Sequence, residues 1–492
     1  GGLSNTAVGY NSLALLVGTS ASAGLKGDYN TCVGTYSGYA TTGESNTFIG
    51  RYAGLYTSTT DNSIAIGRDA LAGVSGDKVT GNYNIAIGSY SLDAVTSGAS
   101  NIAVGYEAGT TLSTHSNDVL IGHQAGMNVI GNDNTFVGHS AGKYATSTAD
   151  CIAIGRQALR GVAGTAVTCS VTSGDATVTC SSSGAVDVGY NVRGTGIPAG
   201  TTVASINAGT GGASVTSFEL SATATAGDPT SVSLTFYTNV GDNNIAIGNY
   251  ALDATTSGAS NIAIGHNALT TNIGGGYNVA IGHSALALQN ADVKNTAIGG
   301  LAGDAIVAGN RNTLVGYSAG SLIYGGTNNT VMGHNAYVKG TASDNTVIGM
   351  NAGSSVVDGT PTDSMTGADN VLVGSHAGYG LTVGPGNVLV GKDAGLAMTT
   401  GTYNVLIGHE AGSTIADDNA NTALGYNALK GSTAGSGNTA FGAYTMDAAL
   451  TGSNNTAIGR SALGSAAGAM TDNVAVGHQA LALLTDPLSD DN

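Results

Sequence analysis

A five-residue phrase, Asn followed by three small or β-branched apolar residues and then Gly, recurs along this chain and constrains its fold more than any other feature. Asn261-Ile262-Ala263-Ile264-Gly265 is one copy. Repetition at a fixed period means that one supersecondary unit is stacked on copies of itself. The phrase glycines stand at 9, 34, 50, 67, 88, 105, 122, 138, 155, 248, 265, 282, 299, 316, 333, 349, 374, 391, 408, 425, 442, 459 and 477, which makes 23 copies in 492 residues, mostly 17 apart. With this glycine as position 0, Asn holds position −4 in 20 copies; the exceptions are Ser63, Asp118 and Cys151. Ala holds position +3 in 19 copies, and +4 is usually Gly or Leu.

Stretches such as Thr296-Ala297-Ile298 are too short and too β-branched for a helix, and their apolar run is continuous, so they read as strands that need cover on both faces. Positions −3 and −1 share one face, while −2 and the glycine share the other. One face can fill the inside of a coil; the other needs a partner outside it. The glycine, free to take φ > 0, is expected to turn the chain into a second short strand. Seventeen residues then make one rung of a two-stranded parallel β-solenoid, and 23 rungs about 4.8 Å apart would form a rod on the order of 110 Å long.

Extra residues have a fixed address. Those between Gly9 and Gly34, Gly67 and Gly88, and Gly349 and Gly374 all fall in the closing loop, and the largest excess separates Gly155 from Gly248. The chain therefore reads as repeats over 1–164, an insert over 165–238 and repeats over 239–492. The insert alternates Val with Thr or Ser between Gly, Asp and Pro, as a small antiparallel β domain does. With Gly174-Asp175 as a hairpin turn, Val171 faces Val178 and Cys169 faces Cys180; that register allows a disulfide and equally a pair of packed thiols.

Trp is absent, Phe numbers five and Gly 79, so the core must be thin and built from Ala, Val, Ile and Leu. A net charge of −17 with only 14 Lys plus Arg leaves no basic stripe for phosphates and argues against nucleic acid as a partner. No run of about 20 apolar residues suggests membrane insertion. The first residues, GGLSNTAVGY, enter in the middle of a repeat, as expected of a fragment or a processed form. Four cysteines make no disulfide scaffold, and Cys32 and Cys151 read as small core residues.

Apparent chemistry dissolves into the repeat. Gly138-His139-Ser140-Ala141-Gly142 and Gly316-Tyr317-Ser318-Ala319-Gly320 match the G-x-S-x-G nucleophile elbow, but that motif needs a strand, a tight turn and a helix. His123, His139, His266, His283, His334, His409 and His478 directly follow phrase glycines, and in stacked rungs they form a row rather than converging on one metal ion. The Asn column can donate and accept along the stack and reads as structural. Closing-loop acids such as Asp417-Asp418 read as turn formers. No catalytic residue, cofactor or metal ligand is assigned on this reading.

NIAIGHNAL (261–269), NVAIGHSAL (278–286) and NTAIGRSAL (455–463) resemble the head repeats of YadA-like trimeric autotransporter adhesins. The likeness covers all but the insert, although that family's common repeat is shorter than 17 residues. It implies a left-handed parallel β-roll and a homotrimer, whose association would cover the second apolar strand face. Similar repeats occur in bacteriophage tail fibres, and the insert, with RGTGIPAGTTVASI, resembles small β modules of phage structural proteins. The expected function is a non-enzymatic attachment fibre, extracellular and on a virion surface, that binds a glycan or protein receptor on a host. The alternatives are a bacterial adhesin head on the cell surface, binding extracellular matrix or other cells, and, as a lesser one, a tailspike-like polysaccharide depolymerase. Recognition is expected on the insert and on the loops around 14–29 and 354–369.

Overall fold

The computed structural model describes residues 4–14, 27–161 without 75 and 147, and 241–482 without 290–293, 355, 358–359, 362–363, 432–434, 449–450 and 466–467. Between these it describes the strands of the insert with residues 176, 197, 221 and 222. Residues 15–26 of the loop around 14–29 and parts of 354–369 thus lie outside the described residues. All regular structure among the described residues is β. The chain forms two compact units, Gly1–Gly276 and Tyr277–Asn492.

Each repeat phrase contributes one three-residue strand at positions −3 to −1, eleven in the first unit and twelve in the second. Neighbouring rungs pair in parallel with like positions opposed, as in Thr296↔Thr313, Ala297↔Leu314 and Ile298↔Val315. The middle residue of the strand points inward: Cys32, Phe48, Phe136, Leu314 and Leu406 are fully buried. The flanking positions point outward. Ile49, Ile298 and Phe441 are exposed.

The expected second strand is a correction. After the glycine comes a turn segment, and among the described residues only Leu322–Ile323 and Lys339–Gly340 pair as a second ladder there, with isolated parallel bridges such as Thr57 to Val79. The backbone explains it, because positions +2 and +4 take left-handed φ rung after rung, as at Asn427 (φ 55) and Leu429 (φ 55), and that conformation cannot continue a strand.

The phrase glycine is needed for a second reason besides turning. At Gly316, φ is +134, and an added Cβ would lie 2.5 Å from the carbonyl oxygen of Gly333 in the next rung. The glycine column therefore sets how closely rungs stack.

Core filling swaps between two positions. Where +4 is Leu, as in Leu252, Leu269 and Leu286, position +7 is the polar Thr255, Asn272 or Gln289. Where +4 is Gly, as in Gly303, Gly320 and Gly412, the buried residue at +7 is Ile306, Ile323 or Ile415. At these glycines an added Cβ would come 3.0, 2.8 and 2.9 Å from the Cδ1 of that isoleucine. In these rungs one large side chain fills the same space from either position, which keeps the thin core close-packed; elsewhere Leu92 and Val95 are buried together, and at Gly54 and Thr57 the strand residue Phe48 takes the space.

The insert is a six-stranded antiparallel sheet in which Thr165–Val171 lies between Val232–Tyr237 and Thr177–Cys180. Val178 and Phe218 are fully buried there. The expected hairpin register holds, with Cys169 opposite Cys180 and Val171 opposite Val178. The coil closes across the insertion point, since Ile152, Ala153 and Ile154 pair directly with Ile245, Ala246 and Ile247. An excursion of this length costs the rung stack little because its two ends emerge from adjacent rungs.

Gly316→Ala should lower stability by about 2 kcal/mol or more, through positive φ and the contact with Gly333. Gly300→Ala, one position along another rung, with its Cβ no nearer than 3.4 Å to the Tyr317 ring, should stay within about 0.5 kcal/mol of the parent. Chemical denaturation of the two variants checks the contrast.

Candidate functional site

The Asn column faces inward and is consumed by the stack. In the second unit the backbone amide of Asn312 donates to Asn295 Oδ1 (2.8 Å), and that of Asn329 donates to Asn312 Oδ1 (2.9 Å). Asn312 Nδ2 donates in turn to the carbonyl of Gly326 (2.9 Å), in the closing turn of the next rung. The first unit repeats the pattern from Asn30, whose amide donates to Asn5 Oδ1 (2.7 Å), to Asn261, whose amide donates to Asn244 Oδ1 (2.9 Å). One carboxamide thus ties the strand entry and the closing turn of the following rung to its own.

Two exceptions test that role. Cys151 substitutes weakly: its Sγ accepts from the Asn244 amide at 3.4 Å, and burial pushes the thiol up to about 11. Asp118 keeps the acceptor half, with Oδ1 receiving the amide and Nδ2 of Asn134 at 3.0 and 2.9 Å. It lacks the donor half, and its buried Oδ2 has no partner. Burial raises its pKa from 3.8 to about 7, against the lowering effect of the Asn134 hydrogen bonds. Once protonated, Oδ2 becomes a donor, as Nδ2 is elsewhere in the column.

The other residues singled out from the sequence lie in the same columns. Cys32 is a buried free thiol at the inward strand position, raised to about 12 by desolvation. Ser140 and Ser318 occupy position +2 with φ of 56 and 51. The described residues contain no helix that would complete a nucleophile elbow at either serine. Position +1 carries a row of rings, with Tyr106 on His123 (5.4 Å) and His123 on His139 (4.9 Å, planes 3° apart). Asp417 does more than shape a turn, because it accepts from the Thr399 and Thr400 hydroxyls (2.6 and 2.8 Å), which hold its carboxyl below the ordinary range.

What remains available to a partner is the outward strand face. Ile298 is 40 % exposed, Phe441 52 % and Ile458 41 %, whereas the Asn side chains at position −4, such as Asn295 and Asn455, are buried. In the first unit Ile49, Ile87, Ile121, Ile154 and Ile247 occupy the same column and are exposed. Because register is kept from rung to rung, these side chains fall in one apolar row on each unit. Isolated exposed apolar residues are ordinary, whereas contiguous rows of them mark association surfaces. Among the described residues no helix is long and apolar enough to cross a membrane.

Comparison with known protein families, with curated proteins and with solved structures gives no match.

Asp118 supplies a test of the column. Its folded pKa of about 7 lies above its ordinary value, so the folded state binds its proton more tightly than the unfolded chain does. The stability this contributes is present at low pH and lost as pH rises from about 4 through about 7. Asp118→Asn should match the parent near pH 4 and exceed it near pH 8 by on the order of 3 kcal/mol. Parallel unfolding curves across that range are the measurement; a constant difference between the two proteins would contradict the assignment.

Proposed function

We propose that this protein is a structural attachment fibre whose copies associate side by side, as a homotrimer, through the outward face of the rung strands. The observation that carries the reading is the exposed apolar row at position −1. Covering it yields about 25 cal/mol per Å² of apolar surface removed from water, and three copies around one axis use the same row on each chain. The resemblance to YadA-like head repeats points the same way.

The finer proposal is a bacteriophage tail-fibre segment, outside the cell and on the virion, that binds a glycan or protein on the host surface. The support for it is the likeness of the repeats and of the insert to phage structural proteins. Recognition is assigned first to the insert, which is grafted onto a coil that closes without it.

Native mass by light scattering should equal three chain masses. The double variant Ile298→Glu, Ile458→Glu should shift that mass toward one chain, since buried unpaired carboxylates oppose association. A monomeric parent would overturn the reading. Deleting 165–238 and joining the flanking rungs should leave a folded oligomer but reduce binding to host cells; undiminished binding would place the receptor site elsewhere.

A further inference from the structure

Apart from any association between copies, the second unit gathers metal-ligating groups on three successive rungs. His376, Asp393 and Glu410 occupy position +2 after Gly374, Gly391 and Gly408, all with left-handed backbone (φ 57, 59 and 56). Main-chain bonds hold them in file: the Asp393 amide donates to the Ser375 carbonyl (2.9 Å) and the Glu410 amide to the Lys392 carbonyl (2.9 Å). His409, beside Glu410, comes from the +1 column. One donor atom from each of Asp393, His409 and Glu410 lies within 4.8 Å of the other two, and all three residues are half-buried.

A second observation concerns the imidazole. His409 Nδ1 is shielded from solvent and has no hydrogen-bond partner, an arrangement that costs free energy unless something supplies one. The ring is steadied by Tyr426, stacked on it at 5.5 Å. His376 Nδ1, 3.4 Å from Asp393 Oδ1, steadies the first carboxylate from the other side.

We propose that Asp393, His409 and Glu410 form a binding site for a divalent transition-metal ion, with solvent completing its shell and His376 orienting Asp393. One nitrogen and two carboxylate oxygens suit Zn²⁺ better than Mg²⁺ or Ca²⁺, which take oxygen donors. The carboxylates are now neutralised by lysines, Lys392 on Asp393 at 2.7 Å and Lys430 on Glu410. Those lysine side chains are 56 % and 41 % exposed, and surface pairs of this kind are weak, so a divalent ion can displace them into water. Convergence comes from combining +1 of one rung with +2 of two rungs.

The test is calorimetric titration of ZnCl₂ into the tag-free, chelator-treated full chain in a non-coordinating buffer. The expected result is saturable binding that weakens at least about tenfold in His409→Gln. It should be unchanged in His283→Gln, which alters the same column at another rung. MgCl₂ should give no saturable heat. Position +1 holds Tyr, Arg, Asn or Ser in other rungs, so His409→Gln should unfold like the parent when metal is absent. Should it fail to fold, Glu410→Gln is read in its place. No saturable zinc binding by the parent, or equal binding by a folded variant of the cluster, would overturn the proposal.

Discussion

The hydrogen bond from one rung's backbone amide to the carboxamide oxygen of the rung before it is the interaction on which the fold depends. Strands of three residues offer few main-chain bonds each, and the turns between them leave amides and carbonyls that would otherwise be buried unpaired. One Asn per rung answers both needs, accepting from the next rung's amide, as Asn387 does from Asn404 (2.9 Å), and donating to its closing-turn carbonyl, as Asn387 does to Gly401 (2.8 Å). Each bond is worth about 0.5–1.5 kcal/mol net, but leaving either group unpaired costs more. The side chain must carry both a donor and an acceptor, which explains why Asp118 brings a raised pKa with it and why Cys151 makes only long contacts.

That device frees the rest of the rung to be small. With polar closure handled by Asn and close approach by Gly, the interior of many rungs needs only one inward strand residue, an Ala at +3 and one larger side chain from +4 or +7. The cost of such a thin coil is that its strands cannot hide their outer face within one chain. The same regularity that builds the stack therefore lines up the apolar row, and the fold and the proposed association have a common cause.

Much of this was legible in the repeat phrase. Strand positions, the division of each strand into two faces, the antiparallel insert and the Cys169–Cys180 register follow from spacing and alternation alone, and the structure has them; which face points inward does not. The second strand of each rung was misread, because a run such as Asn427-Ala428-Leu429 gives no local sign that both Asn427 and Leu429 take positive φ. The trade between +4 and +7 was missed because each column looks merely variable until the two are compared across rungs. The Asn column was read as structural, but its partners are chiefly backbone groups of the next rung, and a turn carbonyl such as Gly326 cannot be located without the closed coil. The cluster of Asp393, His409 and Glu410 is illegible for a similar reason: its donors come from two columns on two rungs, and no single column shows them together.

Hydrogen exchange at the backbone amides of the Asn column tests the account most directly. If the carboxamide ladder ties the rungs together, the amides of Asn312, Asn329, Asn387 and Asn404 will be among the slowest to exchange, opening only with the unit around them. Replacing Asn312 by Ala will then speed exchange at Asn329, whose acceptor is removed, while Asn455, several rungs away, keeps its protection. Column amides that exchange as fast as those of the solvent-facing turns in the parent protein would contradict it.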